Sequence, residues 1–223
     1  MSIICHEHEF IYLKTRKTAS TSLQVAFSRV CKPGDTVTFI SAAAKNYQIR
    51  GEEIPGHRGR SHNYPEDIAA KFPEEWKNYR KIAAVRNPYY AIVSTAIHAG
   101  MLEPVRARLW IRDKLKAGWL DNETFLYPFD GTEIDYVIRF EELEQGYQRV
   151  CDDLGIEVFQ LPHIRKRGDI GFTYDQVLDN DTRALIKEHS ARTLKDYYGE
   201  KDGTVRLPHP PSRFAKDPRG EET

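Results

Sequence analysis

Long apolar runs are missing from this chain of 223 residues. None approaches the ~18 residues that a membrane-spanning helix needs, so no span is expected. Net charge is missing too, with 33 Lys and Arg against 33 Asp and Glu. That balance excludes a global field drawing in nucleic acid or an anionic membrane, and any anion site has to be built locally. Cysteine is scarce. Cys5, Cys31 and Cys151 are widely spaced with no CxxC pair, which argues against a structural zinc site and a disulfide framework and fits a reducing cytoplasm. The start of the chain, with Glu7 and Glu9, lacks the layout of a signal peptide. There are no internal repeats, no low-complexity tract, and no basic motif interleaved with aromatics of the kind that binds nucleic acid.

What is there is an alternation of short apolar runs with helical periodicity. Phe10-Ile11-Tyr12-Leu13 reads as a strand, followed by a polar loop and then by Leu23, Ala26, Phe27 and Val30 at helical spacing. Val37 to Ile40, Ile82 to Val85 and Tyr136 to Ile138 read as further strands. Helical stretches are expected around Ile68 and Trp76, from Pro88 through Ile97, from Val105 to Leu115 with Leu109 between and Gly118 ending it, and through Leu143, Tyr147, Val150, Cys151 and Leu154 to Gly155. A long helix capped by Asp179 or Asp181 runs through Ile186 and Leu194 to Gly199. The pattern predicts one α/β domain over residues 1–199, a central parallel sheet with helices on both faces, and a polar tail over 200–223. Trp110, Trp119, Tyr127 and Phe129 are expected in the core before an acceptor pocket.

Two loops leave predicted strand ends, where open α/β sheets bind ligands. The first contains Lys14, Arg16, Lys17, Thr18, Ala19, Ser20, Thr21 and Ser22. Small and hydroxyl residues ahead of a helix let backbone N–H groups close on an anion, and Lys17 adds a mobile positive charge. Taken alone, the same run is equally an N-cap with solvated lysines. It lacks the Gly-Lys-Ser/Thr ending of a nucleotide triphosphatase loop. The second is Ala84-Val85-Arg86-Asn87-Pro88-Tyr89, with Ser94 eight residues beyond the arginine.

The run Lys-Thr-Ala-Ser-Thr-Ser-Leu after a strand resembles the 5′-phosphosulfate loop of sulfotransferases that use 3′-phosphoadenosine 5′-phosphosulfate (PAPS), above all the carbohydrate-type and bacterial members. The Val-Arg-Asn-Pro segment with its later serine is similar to their 3′-phosphate segment, and Ile134 to Leu143 resembles their next strand and Glu-x-Leu helix. Together these cover most of residues 8 to 199. The resemblance implies a P-loop-like fold, PAPS as donor, PAP as product and a hydroxyl acceptor, of a carbohydrate or small molecule. It implies that Lys14, Lys17, Thr18, Ala19, Ser20, Thr21 and Ser22 hold the 5′-phosphosulfate, that Arg86 and Ser94 hold the 3′-phosphate, and that Arg165 and Lys166, in a Pro- and Gly-bounded basic loop, close over the nucleotide. Arg16 departs from the family's proline at that place.

Sulfuryl transfer needs the acceptor oxygen, sulfur and leaving oxygen in line, with charge stabilised where it develops. Lys17 is the expected stabiliser of the leaving oxygen, so no metal is required. His6 and His8, flanking Glu7, have no identifiable distant partner for a metal site. His57, in a Gly-His element that resembles one in related enzymes, is the candidate general base. Its weaker rivals are His62, Glu52 and Glu53, and Arg58 and Arg60 beside it suit an acidic acceptor. Two other readings are an ATP-dependent phosphotransferase, disfavoured by the missing Gly-Lys-Ser/Thr, and a binding module without turnover.

Overall fold

The computed structural model describes residues 2–38, 44, 47, 49–54, 64–118, 122–164 and 171–199. Six short strands form one sheet: β1 Ser2–Cys5, β2 Phe10–Leu13, β3 Thr36–Thr38, β4 Glu52–Ile54, β5 Arg80–Val85 and β6 Tyr136–Arg139. Their order across the sheet is β4-β3-β1-β2-β5-β6. The pairs β2/β5, β5/β6 and β3/β4 are parallel, and β1 is antiparallel to both β2 and β3.

The sheet is therefore mixed, which corrects the expectation of a parallel one. The cause is the turn over residues 6–9, with Glu9 at φ 49°. Its few residues return the chain as a hairpin, far too few for the crossover that parallel neighbours need. β1 and β4 were not anticipated, being four and three residues long, and β4 carries two glutamates. β1 is nonetheless central, with Ile3 and Ile4 wholly buried.

Strand residues alternate between two cores. Phe10, Tyr12, Ile82, Ala84 and Ile138 face α1 Ser20–Ser28 and α7 Leu143–Leu154. Ile11, Leu13, Ala83, Val85 and Val137 face α2 Pro65–Lys71, α3 Pro73–Asn78, α6 Glu123–Leu126 and α9 Ala191–Tyr198. Helices on both faces are thus as expected. On the first face Phe27 packs its ring 5.5 Å from Phe10, 5.2 Å from Tyr12 and 5.1 Å from Tyr147, clamping α1 to the sheet.

A third core joins α4 Pro88–His98, α5 Pro104–Lys116 and α8 Asn180–His189. In α5 the inward stripe is Ala107, Ile111 and Leu115, whereas Val105 and Leu109 are 59% and 55% exposed. Small Ala107 fixes that face, which apolarity alone did not reveal. The long terminal helix is two, α8 and α9, broken at Ser190. Asp179 caps α8 by accepting the Thr182 N–H at 3.0 Å. Phe129, expected inside, is 64% exposed, on a turn after α6. Among the described residues no helix is long and apolar enough to cross a membrane.

Candidate functional site

β2 and β5 run parallel with Leu13 beside Ala83, and β6 continues the set with Arg139 beside Val85. Three neighbouring strands therefore deliver their following residues to one edge of the sheet, and the loops after β2 and β5 are the two that the sequence singled out.

The first loop is built from the inside. Lys14 is buried, its Nζ donating to Gln24 Oε1 at 3.1 Å, and Gln24 Nε2 donates to the Thr38 carbonyl. Thr15 Oγ1 donates to the Ala84 carbonyl at 2.6 Å and lies 2.8 Å from Thr18 Oγ1. Buried Tyr12 donates its hydroxyl to the Ser20 carbonyl at 3.1 Å, tying the start of α1 to β2; burial holds that phenol well above its usual range. Lys14 and Thr18 are thus turned inward, while Lys17, Ala19 and Thr21 are half-buried and Ser20 and Ser22 lie under the surface at the start of α1. Lys17 and Ala19 have φ of 59° and 56°, a left-handed backbone that side chains disfavour and that persists only where its surroundings over-determine it. The Ser20 and Thr21 amides at the start of α1 open from this bend, while the Ser22 N–H donates to the Ala19 carbonyl at 2.9 Å.

Two side chains from far along the chain over-determine it. Asn122, buried, accepts the Arg16 N–H at 2.7 Å and donates to the Arg16 carbonyl at 2.9 Å. Arg86 donates through Nη1 to the Lys17 carbonyl at 3.3 Å, across 69 residues of sequence. The Arg86 guanidinium also lies 4.2 Å from the centre of the Phe140 ring and 5.9 Å from that of Tyr174. Its Nε, like Arg16 Nε and Arg139 Nη1, is buried with no acceptor among the described residues. A buried N–H left unmet costs about 1–3 kcal/mol, so such a cluster needs an explanation.

The second loop is fastened separately. The Asn87 side chain caps α4 by accepting the Tyr89 N–H at 3.1 Å, and the Asn87 N–H donates to Glu141 Oε1 at 2.9 Å. Glu141 Oε2 accepts the Tyr198 hydroxyl at 2.8 Å, and burial and then the Glu141 charge push that phenol far up. Arg139 pairs with Glu142. Ser94 is buried within α4 and does not line the cavity beside Arg86. That cavity, about 30 Å³, is lined by Arg86, Asn122, Glu123, Ser190 and Thr193 among others. It has room for a water or two but not for a nucleoside.

His57, His62, Arg58, Arg60, Arg165 and Lys166 lie outside the described residues. β4, which precedes the His57 segment, is parallel to β3, and β3 and β2 both run opposite to β1; β4 therefore ends at the same edge as the Lys17 loop. The glutamates Glu52 and Glu53 are on β4, three strands from β2 in the sheet.

At the opposite end of the sheet, Cys5, Cys31 and Asp35 bring their ligand atoms within 4.8 Å of one another, all buried. The wide spacing of the cysteines concealed this contact. Asp35 already accepts the His6 N–H at 2.7 Å and the Lys32 N–H at 2.8 Å, with the Cys5 thiol 3.5 Å away. The Cys5 thiol and burial push Cys31 far up, and Asp35 closes the turn through the two N–H bonds it accepts.

Sequence reasoning passed over Asn122 and Arg139. Arg139 stood at the end of a recognised strand, a signal that was available; Asn122 carried none. No protein-family model matches the chain, and neither a curated protein nor a solved structure matches it.

Proposed function

We propose that this protein is a sulfotransferase that binds PAPS across the ends of β2, β5 and β6 and passes its sulfuryl group to an acceptor hydroxyl. The observation that carries the reading is the bond from Arg86 to the Lys17 carbonyl. It joins the two resembling segments at one sheet edge and leaves a buried guanidinium N–H unmet there. A phosphate would satisfy that donor with a charge-assisted bond.

In this reading the 5′-phosphosulfate rests on the opening amides of α1, where the helix dipole also favours an anion. Lys17, held half-exposed on its left-handed bend, offers its ammonium to the bridging oxygen on which charge grows as the sulfur–oxygen bond breaks. Ser20, Thr21 and Ser22 border the same amides and supply hydroxyl donors. Lys14 and Thr18 act from beneath, by shaping the loop through Gln24 and Thr15. Arg86 takes the 3′-phosphate. The acceptor's proton falls to a general base, for which His57 remains the candidate, and a P-loop-like relationship of the fold belongs to this same proposal.

Calorimetric titration with adenosine 3′,5′-bisphosphate tests it, with 5′-AMP as the control. Wild type binds the bisphosphate tightly and 5′-AMP weakly, and Arg86→Ala loses most of the difference, about 1.5–3 kcal/mol for a charged hydrogen bond. Equal, feeble binding of both nucleotides by wild type rejects the donor site. Tight binding without turnover of PAPS on any hydroxyl leaves the binding module instead.

A further inference from the structure

Among the described residues the large apolar side chains left exposed are Tyr90, Leu102, Val105, Leu109, Phe129 and Val158. Half of them gather at α5. Leu102, Val105 and Leu109 are 61%, 59% and 55% exposed; Leu102 stands just ahead of the helix, and Val105 and Leu109, four residues apart, share one side of it. The opposite side, Ala107, Ile111 and Leu115, is the one buried against α4 and α8. An apolar stripe that survives on the outside after the core has taken its own is the mark of an interaction surface.

The charges on this outer face say what covers it. Arg106 and Asp113 are both exposed, seven residues and so two turns apart on the same side of the helix. The point midway between them falls between Leu109 and Trp110. A second α5 laid antiparallel about a two-fold axis through that point sets each Arg106 against Asp113 of the other copy, twice over, with Leu109 meeting its own copy between the pairs. Self-complementarity of this kind is what an isologous interface requires, and neither a membrane surface nor an unrelated partner calls for it. Among the described residues of its own chain Arg106 pairs with Glu103, at 3.3 Å, with both side chains mostly exposed; such a pair is weak and exchangeable.

We infer that α5 is the contact face of a homodimer, with Leu102, Val105 and Leu109 as its apolar strip and the reciprocal Arg106/Asp113 pairs setting its antiparallel register. The strip is short against the roughly 1,200 Å² that stable interfaces bury, so the dimer is a reversible one. The inference does not depend on the sulfotransferase reading.

Sedimentation equilibrium of the full chain over a concentration series decides it. Wild type moves from monomer to dimer mass. R106E sets two carboxylates against each other and D113R two guanidinium groups, so each alone weakens association by about tenfold or more. An equimolar mixture of R106E and D113R forms a mixed dimer, and the double variant R106E/D113R, with the charges exchanged, dimerises again. Leu109→Asp stays monomeric. A wild type that is monomeric throughout overturns the inference and leaves the stripe to a partner of another kind. Dimers indifferent to both charge changes, or a mixture that fails to associate, overturn it as well. Thermal unfolding of each variant, unchanged because the altered side chains lie outside the core, separates lost association from lost folding.

Discussion

Two groups of arginines brace this chain, and they spend their donors differently. Around the segment over residues 174–179, Arg108 donates to the Val177 and Gln176 carbonyls, Arg112 holds Asp179 at 2.7 and 2.8 Å and Thr182 at 2.9 Å, and Arg183 donates to the Leu178 carbonyl. No buried nitrogen of these three is left unmet among the described residues. At the strand ends Arg16, Arg86 and Arg139 are also partly or wholly buried, yet each keeps one buried nitrogen without an acceptor among the described residues. An arginine whose fork is filled by its own chain is a clamp. One that is fixed by a ring and a carbonyl while a buried N–H stays unmet is poised for an acceptor from outside. Composition does not separate the two groups; partners do.

The comparison breaks most visibly at Lys17, whose carbonyl accepts from Arg86. With PAPS and a working acceptor, Lys17→Ala lowers turnover by ~10²–10³-fold, as removal of a transition-state donor does elsewhere. Bisphosphate binding falls much less, and single-turnover rates measured beside calorimetry show the split. The clamp group behaves in the opposite way. Arg112→Ala costs about 1–3 kcal/mol in urea denaturation by leaving Asp179 short of its partner, with bisphosphate affinity unchanged. If nucleotide binding fell in step with stability, the two groups would not be functionally distinct.

Asn122→Ala sharpens the line between holding a ligand and holding a loop. It removes both bonds to the Arg16 backbone, so hydrogen exchange at the Arg16 amide speeds up and bisphosphate binding weakens by about tenfold. Unchanged exchange there would mean that Arg86 alone secures the bend. The smallest effect concerns pH. The Thr182 hydroxyl, its amide and the arginines Arg112 and Arg108 hold the Asp179 carboxyl well below its usual range. Because the folded pKa is depressed, the stability it contributes is present above the ordinary value of ~3.9 and is lost as pH falls through and below it. Denaturation of wild type and Asp179→Asn between about pH 5 and pH 3 should show the wild-type advantage shrinking as acid is added.

The strand, loop and helix from Phe10 to Ser28 were legible because every signal in them is local: an apolar run, a hydroxyl-rich bend, then helical spacing. The same holds for Arg80 through His98, where Pro88 opens the helix and Asn87 caps it. Four residues of β1 with a polar turn behind them gave no such pattern, and the antiparallel step they introduce was invisible. Within α5, Val105 and Leu109 are apolar yet exposed, because periodicity shows that a helix has an apolar face without saying which apolar residues meet another element. Ala107, the least conspicuous of the stripe, is wholly buried, as Ile111 is.

The sequence by itself determined that strands and helices alternate, that two basic loops follow strands, and which chemistry those loops resemble. These follow from backbone propensity, side-chain periodicity and local charge, all expressed within a few residues. Only the tertiary structure decided that the loops share one edge, that Asn122 and Arg86 hold the bend at Arg16 and Lys17 across 106 and 69 residues, and that Lys14 and Thr18 turn inward. Pairing between strands and the docking of a distant side chain depend on which surfaces bury each other, and no window of neighbouring residues carries that information.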